Sequence, residues 1–139
     1  ERAARQTLAQ SLQQQQQTWA WALTPAVRKY ALGGTDAAPR AWGTMLFEPA
    51  SQEGMLVVAD MASLPTEKAY QLWLIQDSQR TSGGVFIVDA TGRGQLAVRA
   101  PQPLAAYQAM GVTIEPAGGS PGPTGPRVLR GPVQQSGWE

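Results

Sequence analysis

The segment AYQLWLIQ, at residues 69–76, indicates the architecture of the chain. Successive side chains of a β-strand point to opposite faces, so Tyr70 and Leu72 share one face while Trp73 lies on the other. Both faces of this segment are apolar, which is typical of a strand that is covered on both sides. The stretch therefore predicts a central strand in a layered β-structure.

Shorter segments with strand character flank this one along the chain, separated by residues that favour turns. Turn signals that recur about every eight to twelve residues indicate a β-sandwich or a β-barrel. We predict an all-β protein, specifically an antiparallel β-sandwich of about eight strands. Residues 101–107 are predicted to hold a short helical turn. The predicted strands are Arg28–Leu32, Ala41–Glu48, Met55–Met61, Ala69–Gln76, Gly84–Asp89, Arg93–Arg99, Met110–Glu115 and Arg127–Leu129.

One helix is predicted before the sheet, because Glu1–Leu23 contains neither glycine nor proline and is rich in helix-forming residues. Pro25 disfavours helical backbone at the preceding Thr24, so the helix is expected to end there. The run Gln13–Gln17 fits two interpretations, the polar face of this helix or a disordered spacer. The apolar residues of the helix form one narrow stripe, made of Ala4, Leu8, Leu12, Trp19 and Leu23.

The chain is accordingly divided into an N-terminal helix at residues 1–24 and a β-sandwich domain at residues 25–139. An isolated helix of this length is only marginally stable in water. Its narrow apolar stripe suits contact with another helix better than contact with a flat sheet. Three outcomes are open to the helix: it packs on its own sandwich, it pairs with the same helix of a second copy, or it frays. We favour the pairing, which gives a homodimer through this helix.

The composition excludes several kinds of chemistry. The 139 residues include no cysteine and no histidine, so thiolate nucleophiles, Cys/His zinc sites and imidazole bases are excluded. Eleven basic and ten acidic residues leave a net charge of +1 without a basic cluster, so no nucleic-acid binding is expected. The acidic residues are scattered singly, and we expect no catalysis, no bound metal and no cofactor.

Membrane-directing segments are missing from the sequence. No stretch approaches the roughly twenty consecutive apolar residues that a membrane-spanning helix needs, and no signal peptide is present. Because the chain begins with Glu1 rather than methionine, we expect it to be part of a longer protein.

A loop rich in glycine and proline follows the predicted strand near the C-terminus, in the sequence GVTIEPAGGSPGPTGP at residues 111–126. Proline fixes φ and glycine permits positive φ, so the loop is expected to have a set shape. Glu115 is either a general base or ligand carboxylate, or a structural acceptor for N–H groups of the following AGGS. The structural role is favoured, because no second acid, lysine or histidine lies nearby in sequence. The pair Gly118-Gly119 lacks the remainder of a phosphate-binding motif.

Three aromatic residues, Tyr70, Trp73 and Trp42, fit two interpretations. They line a face that binds a sugar or a peptide, or they belong to the core. The core is favoured, because each of these side chains buries a large apolar area.

Several motifs resemble one known family. These are YQLWLI from residue 70, SGGVF at 82–86, VTIEPAGGS from residue 112 with PTGP after it, and VLRG at 128–131. Over Gly33–Gly131 the chain is similar to the C-terminal domain of the anti-sigma-K-factor family. The motif residues to which the resemblance points, expected to be structural, are Tyr70, Trp73, Gly83, Glu115, Pro116, Gly118, Gly119, Pro123, Thr124 and Gly125.

The resemblance implies a single-pass transmembrane anti-sigma factor whose sigma factor is bound by a cytoplasmic segment outside this chain. This domain would lie on the extracytoplasmic side and regulate release of the sigma factor through membrane proteases, with residues 1–24 as the membrane-proximal stalk. The alternative is an extracytoplasmic module that binds carbohydrate or peptide and has no connection to sigma factors.

Overall fold

The computed structural model describes residues 27–132 of the chain, and this part is all-β. One single-turn 3₁₀ helix, Leu104–Ala106, lies where the sequence predicts a short helical turn. The strands are β1 (Arg28–Gly34), β2 (Trp42–Phe47), β3 (Glu53–Ala59), β4 (Lys68–Gln76), β5 (Gln79–Phe86), β6 (Gly94–Arg99), β7 (Ala109–Pro116) and β8 (Arg127–Pro132).

All eight strands belong to one antiparallel sheet in the order β5-β4-β7-β8-β1-β2-β3-β6. The two outermost strands, β5 and β6, approach each other, and Leu96 of β6 packs against the backbone at Gly84 of β5. The sheet is therefore a nearly closed barrel.

The predicted two-sheet sandwich is thus replaced by one continuous sheet. Strand β1 joins the two halves, because Gly33 pairs with Trp42 of β2 on one side and with Arg130 of β8 on the other. Sandwiches and barrels both bury alternate residues of each strand, so the hydrophobic period does not distinguish them. The antiparallel strands and their number agree with the prediction.

The two-faced strand of the prediction is β4, which lies between β5 and β7 and is covered on both faces as predicted. Tyr70, Leu72 and Leu74 point into the core of the barrel. Trp73 points away from that core and is nevertheless only 1% exposed. A second layer of structure must therefore cover the outer face of the sheet at this position.

The largest departure from the predicted strands is at β5, which begins five residues earlier than Gly84. A tight turn at Asp77, with φ of 54°, connects β4 directly to β5. The strand also ends at Phe86, so that Ile87 is 73% exposed rather than part of the sheet.

The predicted N-terminal helix, its apolar stripe and the dimer contact lie outside the described residues. So do residues 133–139, which follow β8 and belong to the predicted domain at 25–139.

Candidate functional site

A buried carboxylate occupies the outer face of the barrel, beneath the glycine- and proline-rich loop. Glu115 lies near the end of β7 and is 1% exposed. Thr113 precedes it by two residues, so the two side chains share the outer face of the strand. Opposite them on β4, Ala69 pairs with Glu115 and Gln71 pairs with Thr113.

Four donors surround the Glu115 carboxylate. The Thr113 hydroxyl donates to Oε2 at 2.5 Å, and the Thr124 hydroxyl donates to Oε1 at 2.5 Å. The backbone N–H of Thr124 donates to the same carboxylate at 3.0 Å, and that of Gly125 at 3.2 Å. The carboxylate therefore fastens the far end of the loop to strand β7.

These hydrogen bonds control the charge state of the carboxyl group. Burial raises the pKa of Glu115, but the bonds from Thr113, Thr124 and Gly125 outweigh it and lower the pKa to about 2. The group is ionised at neutral pH, and so low a pKa makes it a poor proton acceptor there. The geometry supports a structural acceptor rather than a general base.

The network extends to the buried indole of the sequence motif. The Trp73 Nε1–H donates to the Thr113 hydroxyl oxygen at 2.8 Å, while that hydroxyl donates to Glu115. Gly111 of β7 pairs with Trp73. Because glycine has no side chain, the indole meets no opposing side chain from position 111. Trp73, Thr113 and Glu115 thus form one chain of hydrogen bonds across two strands.

A second buried polar side chain fastens the near end of the loop. The amide of Gln71, which is 2% exposed, donates to the Ser120 carbonyl at 3.1 Å and accepts from the Ser120 N–H at 2.9 Å. It also donates to the Ser82 hydroxyl at 2.9 Å. We call the buried side chains of Gln71, Trp73, Thr113 and Glu115, together with the exposed Thr124 that donates to Glu115, the buried polar cluster.

Several motif residues hold the loop in shape. Gly119 has φ of 87°, a backbone conformation that glycine adopts freely and that strains residues with a side chain. A side chain at residue 125 would overlap the carbonyl oxygen of Ile114. Pro116 ends β7 opposite Lys68.

The remaining motif residues are not all at the cluster. Tyr70 lies on the inner face, where its hydroxyl donates to the Ala62 carbonyl at 2.5 Å and burial raises its pKa. Gly83 packs against Leu72 in the barrel wall. Pro123 is exposed, and the position of Gly118 is open to solvent.

The sequence interpretation assigned the wrong donors to Glu115. Its partners come from Thr113, Thr124 and Gly125, not from the AGGS segment. It also missed Gln71 and Thr113, although the two-residue spacing of Thr113 and Glu115 places both on one strand face and was visible in the sequence.

The three aromatic residues also separate. Tyr70 and Trp73 are buried, as favoured, but Trp42 is 49% exposed, so its assignment to the core is wrong.

Within residues 27–132 no buried polar side-chain atom lacks a hydrogen-bond partner. No cluster of three or more acidic residues that could hold a metal occurs in that part of the chain.

Comparison with known proteins identifies the family. The model of the family described as "Anti-sigma-K factor rskA, C-terminal" matches residues 1–127. The chain belongs to this family. The matched region includes the glutamine-rich N-terminal segment, for which no family motif was identified from the sequence, and it ends before the VLRG segment at 128–131.

A curated relative is similar over part of its length. It is a Streptomyces griseus protein described as an uncharacterized protein in the phr 5′ region, 32% identical over 84 residues. The matched part makes up 60% of this chain and 34% of that protein, so the chain spans about a third of the relative. No solved structure shows a significant match.

Among residues 27–132, no helix has the length and apolarity required to cross a membrane.

Proposed function

We propose that this chain is the extracytoplasmic regulatory domain of a membrane-anchored anti-sigma factor. In this proposal a separate cytoplasmic segment of the parent protein binds the sigma factor, and a single spanning helix joins the two. The match of residues 1–127 to the anti-sigma-K factor C-terminal family carries the proposal. The Streptomyces griseus relative is long enough to include such additional segments, since the chain spans 34% of it.

The domain would act by restraining proteolysis. The predicted stalk helix at residues 1–24 would connect the barrel to the membrane, and proteases would cut there to start release of the sigma factor. A folded barrel next to the stalk would shield it. A local opening that costs a few kcal/mol is enough to make such a site rarely accessible.

The buried polar cluster supports this regulatory role. It fastens both ends of the loop, through Gln71 to Ser120 and through Glu115 to Thr124. Its carboxylate is held ionised and satisfied by donors, an arrangement that stabilises structure instead of turning over a substrate. Release of the loop would expose the outer face of β4 and loosen the barrel.

The proposal is tested by transcription in a host that has the matching sigma factor. The parent gene is compared with a version that lacks the codons for residues 27–132, using a reporter that depends on the sigma factor. If the domain restrains cleavage, the reporter rises without an inducing signal. An unchanged reporter would contradict the proposed role.

The side of the membrane is tested separately. This chain has no cysteine, so Gly118→Cys introduces a single thiol at an open position of the loop. In a parent protein without other cysteines, a membrane-impermeant maleimide should label intact cells. Labelling only after lysis would place the domain in the cytoplasm and would contradict the proposal.

A further inference from the structure

An exposed tryptophan lies on the outer surface, away from the buried polar cluster. Trp42 is 49% exposed, and no other Trp, Tyr or Phe within residues 27–132 is exposed to this degree. Its Nε1–H donates to Oδ2 of Asp60 at 3.3 Å. Asp60 has φ of 57°, a conformation that aspartate tolerates better than most residues. The bond fixes the orientation of the indole while half of it stays open to solvent.

Trp42 lines an open groove on the face of the sheet. The half-buried side chains of Val57 and Ala59 on β3 provide an apolar surface beside the indole. The turn between β5 and β6 also lines the groove, through Asp89 and Arg93. The groove thus combines one flat aromatic surface with a polar rim.

The polar rim has unused hydrogen-bonding capacity. Oδ1 of Asp89 accepts from the Thr91 N–H, the Thr91 hydroxyl and the Arg93 N–H, which shapes the turn. The Thr91 hydroxyl bond is the main cause that lowers the pKa of Asp89, so this carboxylate is ionised at neutral pH. Within residues 27–132 no hydrogen bond reaches its Oδ2 or Oδ1 of Asp60. The charge of Arg93 also helps to lower the pKa of Asp89, but the guanidinium makes no salt bridge in that part of the chain.

We propose that this groove binds an uncharged oligosaccharide. A sugar ring has a C–H face that packs on an aromatic surface, and hydroxyl groups that donate to carboxylates and accept from a guanidinium. The groove has two carboxylates, Asp60 and Asp89, and one positive charge, Arg93. This excess of negative charge repels an acidic sugar. The open groove suits a chain that runs along the surface.

The backbone of the groove disfavours an extended peptide. Strand β2 is hydrogen-bonded to β1 and β3, and β3 is bonded to β2 and β6. Peptides that bind as an added strand need a free sheet edge, and neither β2 nor β3 has one. Recognition must therefore use side chains, as saccharide recognition does. This proposal does not depend on the role in sigma-factor release.

The test uses isothermal titration calorimetry of the full chain with cellohexaose, maltohexaose and N-acetylchitohexaose. At least one of these is expected to bind, and Trp42→Ala should raise its dissociation constant about tenfold or more. Ile87→Ala is the matched control, since Ile87 is 73% exposed and lies outside the groove. It should bind like the wild type.

Asp60→Asn provides a second variant that is expected to fold, because asparagine also tolerates positive φ and can accept from the indole. Asp60→Asn should bind the oligosaccharide more weakly than the wild type, because one carboxylate acceptor is removed. The proposal is overturned if none of the three oligosaccharides binds, or if Trp42→Ala binds as tightly as the wild type. Binding of polygalacturonate alone, or of uncharged peptides alone, would overturn it as well.

Discussion

The replacement of Glu115 by glutamine tests the buried polar cluster most sharply. The side chain keeps its size, but the charge is lost and one oxygen becomes an NH₂ group. Four donors face this position, from the Thr113 and Thr124 hydroxyls and the Thr124 and Gly125 N–H groups. An amide has one acceptor oxygen, so at least one donor is left with a poor partner.

The magnitude follows from the pKa. The pKa of Glu115 is about 2 in the folded chain, against an ordinary value of 4.5. At about 1.4 kcal/mol per pH unit, the ionised carboxylate stabilises the folded state by about 3 kcal/mol at neutral pH. The side chain is only 1% exposed, so screening by solvent is small. The free energy of unfolding of Glu115→Gln should therefore lie below that of the wild type by most of this contribution.

The same pKa fixes the pH dependence. Because the pKa is lowered on folding, the stabilisation is complete above pH 4.5 and is lost as the pH falls toward about 2. The stability of the wild type should therefore decline over that interval through this group. Glu115→Gln has no carboxyl to titrate there, so the two proteins should become similar in stability near pH 2.

Urea unfolding followed by circular dichroism measures both effects. At pH 7 the midpoint for Glu115→Gln should fall by about 1–3 M relative to the wild type. Glu48→Gln is the control, since this exposed carboxylate accepts no side-chain hydrogen bond within residues 27–132. Equal midpoints for Glu115→Gln and the wild type at pH 7, or an equal decline of both below pH 4.5, would show that the Glu115 charge does not stabilise the fold.

Three further predictions concern other parts of the chain. Gly125→Ala should lower the melting temperature markedly in calorimetry, because its Cβ would overlap a carbonyl of β7, whereas Gly118→Ala should melt like the wild type because that position is open; equal melting of the two variants would contradict this. Thr113→Val should destabilise by about 1–3 kcal/mol in urea unfolding, because it leaves the Trp73 N–H without its acceptor; an unchanged midpoint would contradict it. Deletion of Glu1–Leu23 should convert a dimer to a folded monomer in sedimentation, and a full chain that is already monomeric at high concentration would show that the dimer prediction is wrong.

The sheet was largely predictable because alternation is a local signal. Strands β4 and β7 were both predicted to within one residue at each end, from AYQLWLIQ and from the segment that ends at Glu115. The start of β5 was not, because its first residues are polar and its turn at Asp77 contains no glycine. Closure of the sheet into a barrel depends on pairing between distant strands, which alternation within each strand does not encode.

The candidate site was predictable only in part. The loop and Glu115 were recognised from the glycine and proline pattern, and the structural role was favoured because no partner acid lies nearby in sequence. The donors at Thr124 and Gly125 were missed, because the path of the loop decides which N–H groups reach the carboxylate. Exposure of Trp42 depends on what packs over the outer face of the sheet, and the strand sequence does not specify this.

In the proposed role, the folded barrel restrains cleavage of the parent protein. The most direct test of this role is an immunoblot of membrane fractions from cells that express the parent protein with Glu115→Gln or with Glu48→Gln. We expect cleaved parent protein to accumulate for Glu115→Gln without any inducing signal, and Glu48→Gln to remain intact like the wild type. Equal amounts of intact protein in all three, with Glu115→Gln shown to be destabilised in vitro, would show that the barrel does not restrain cleavage.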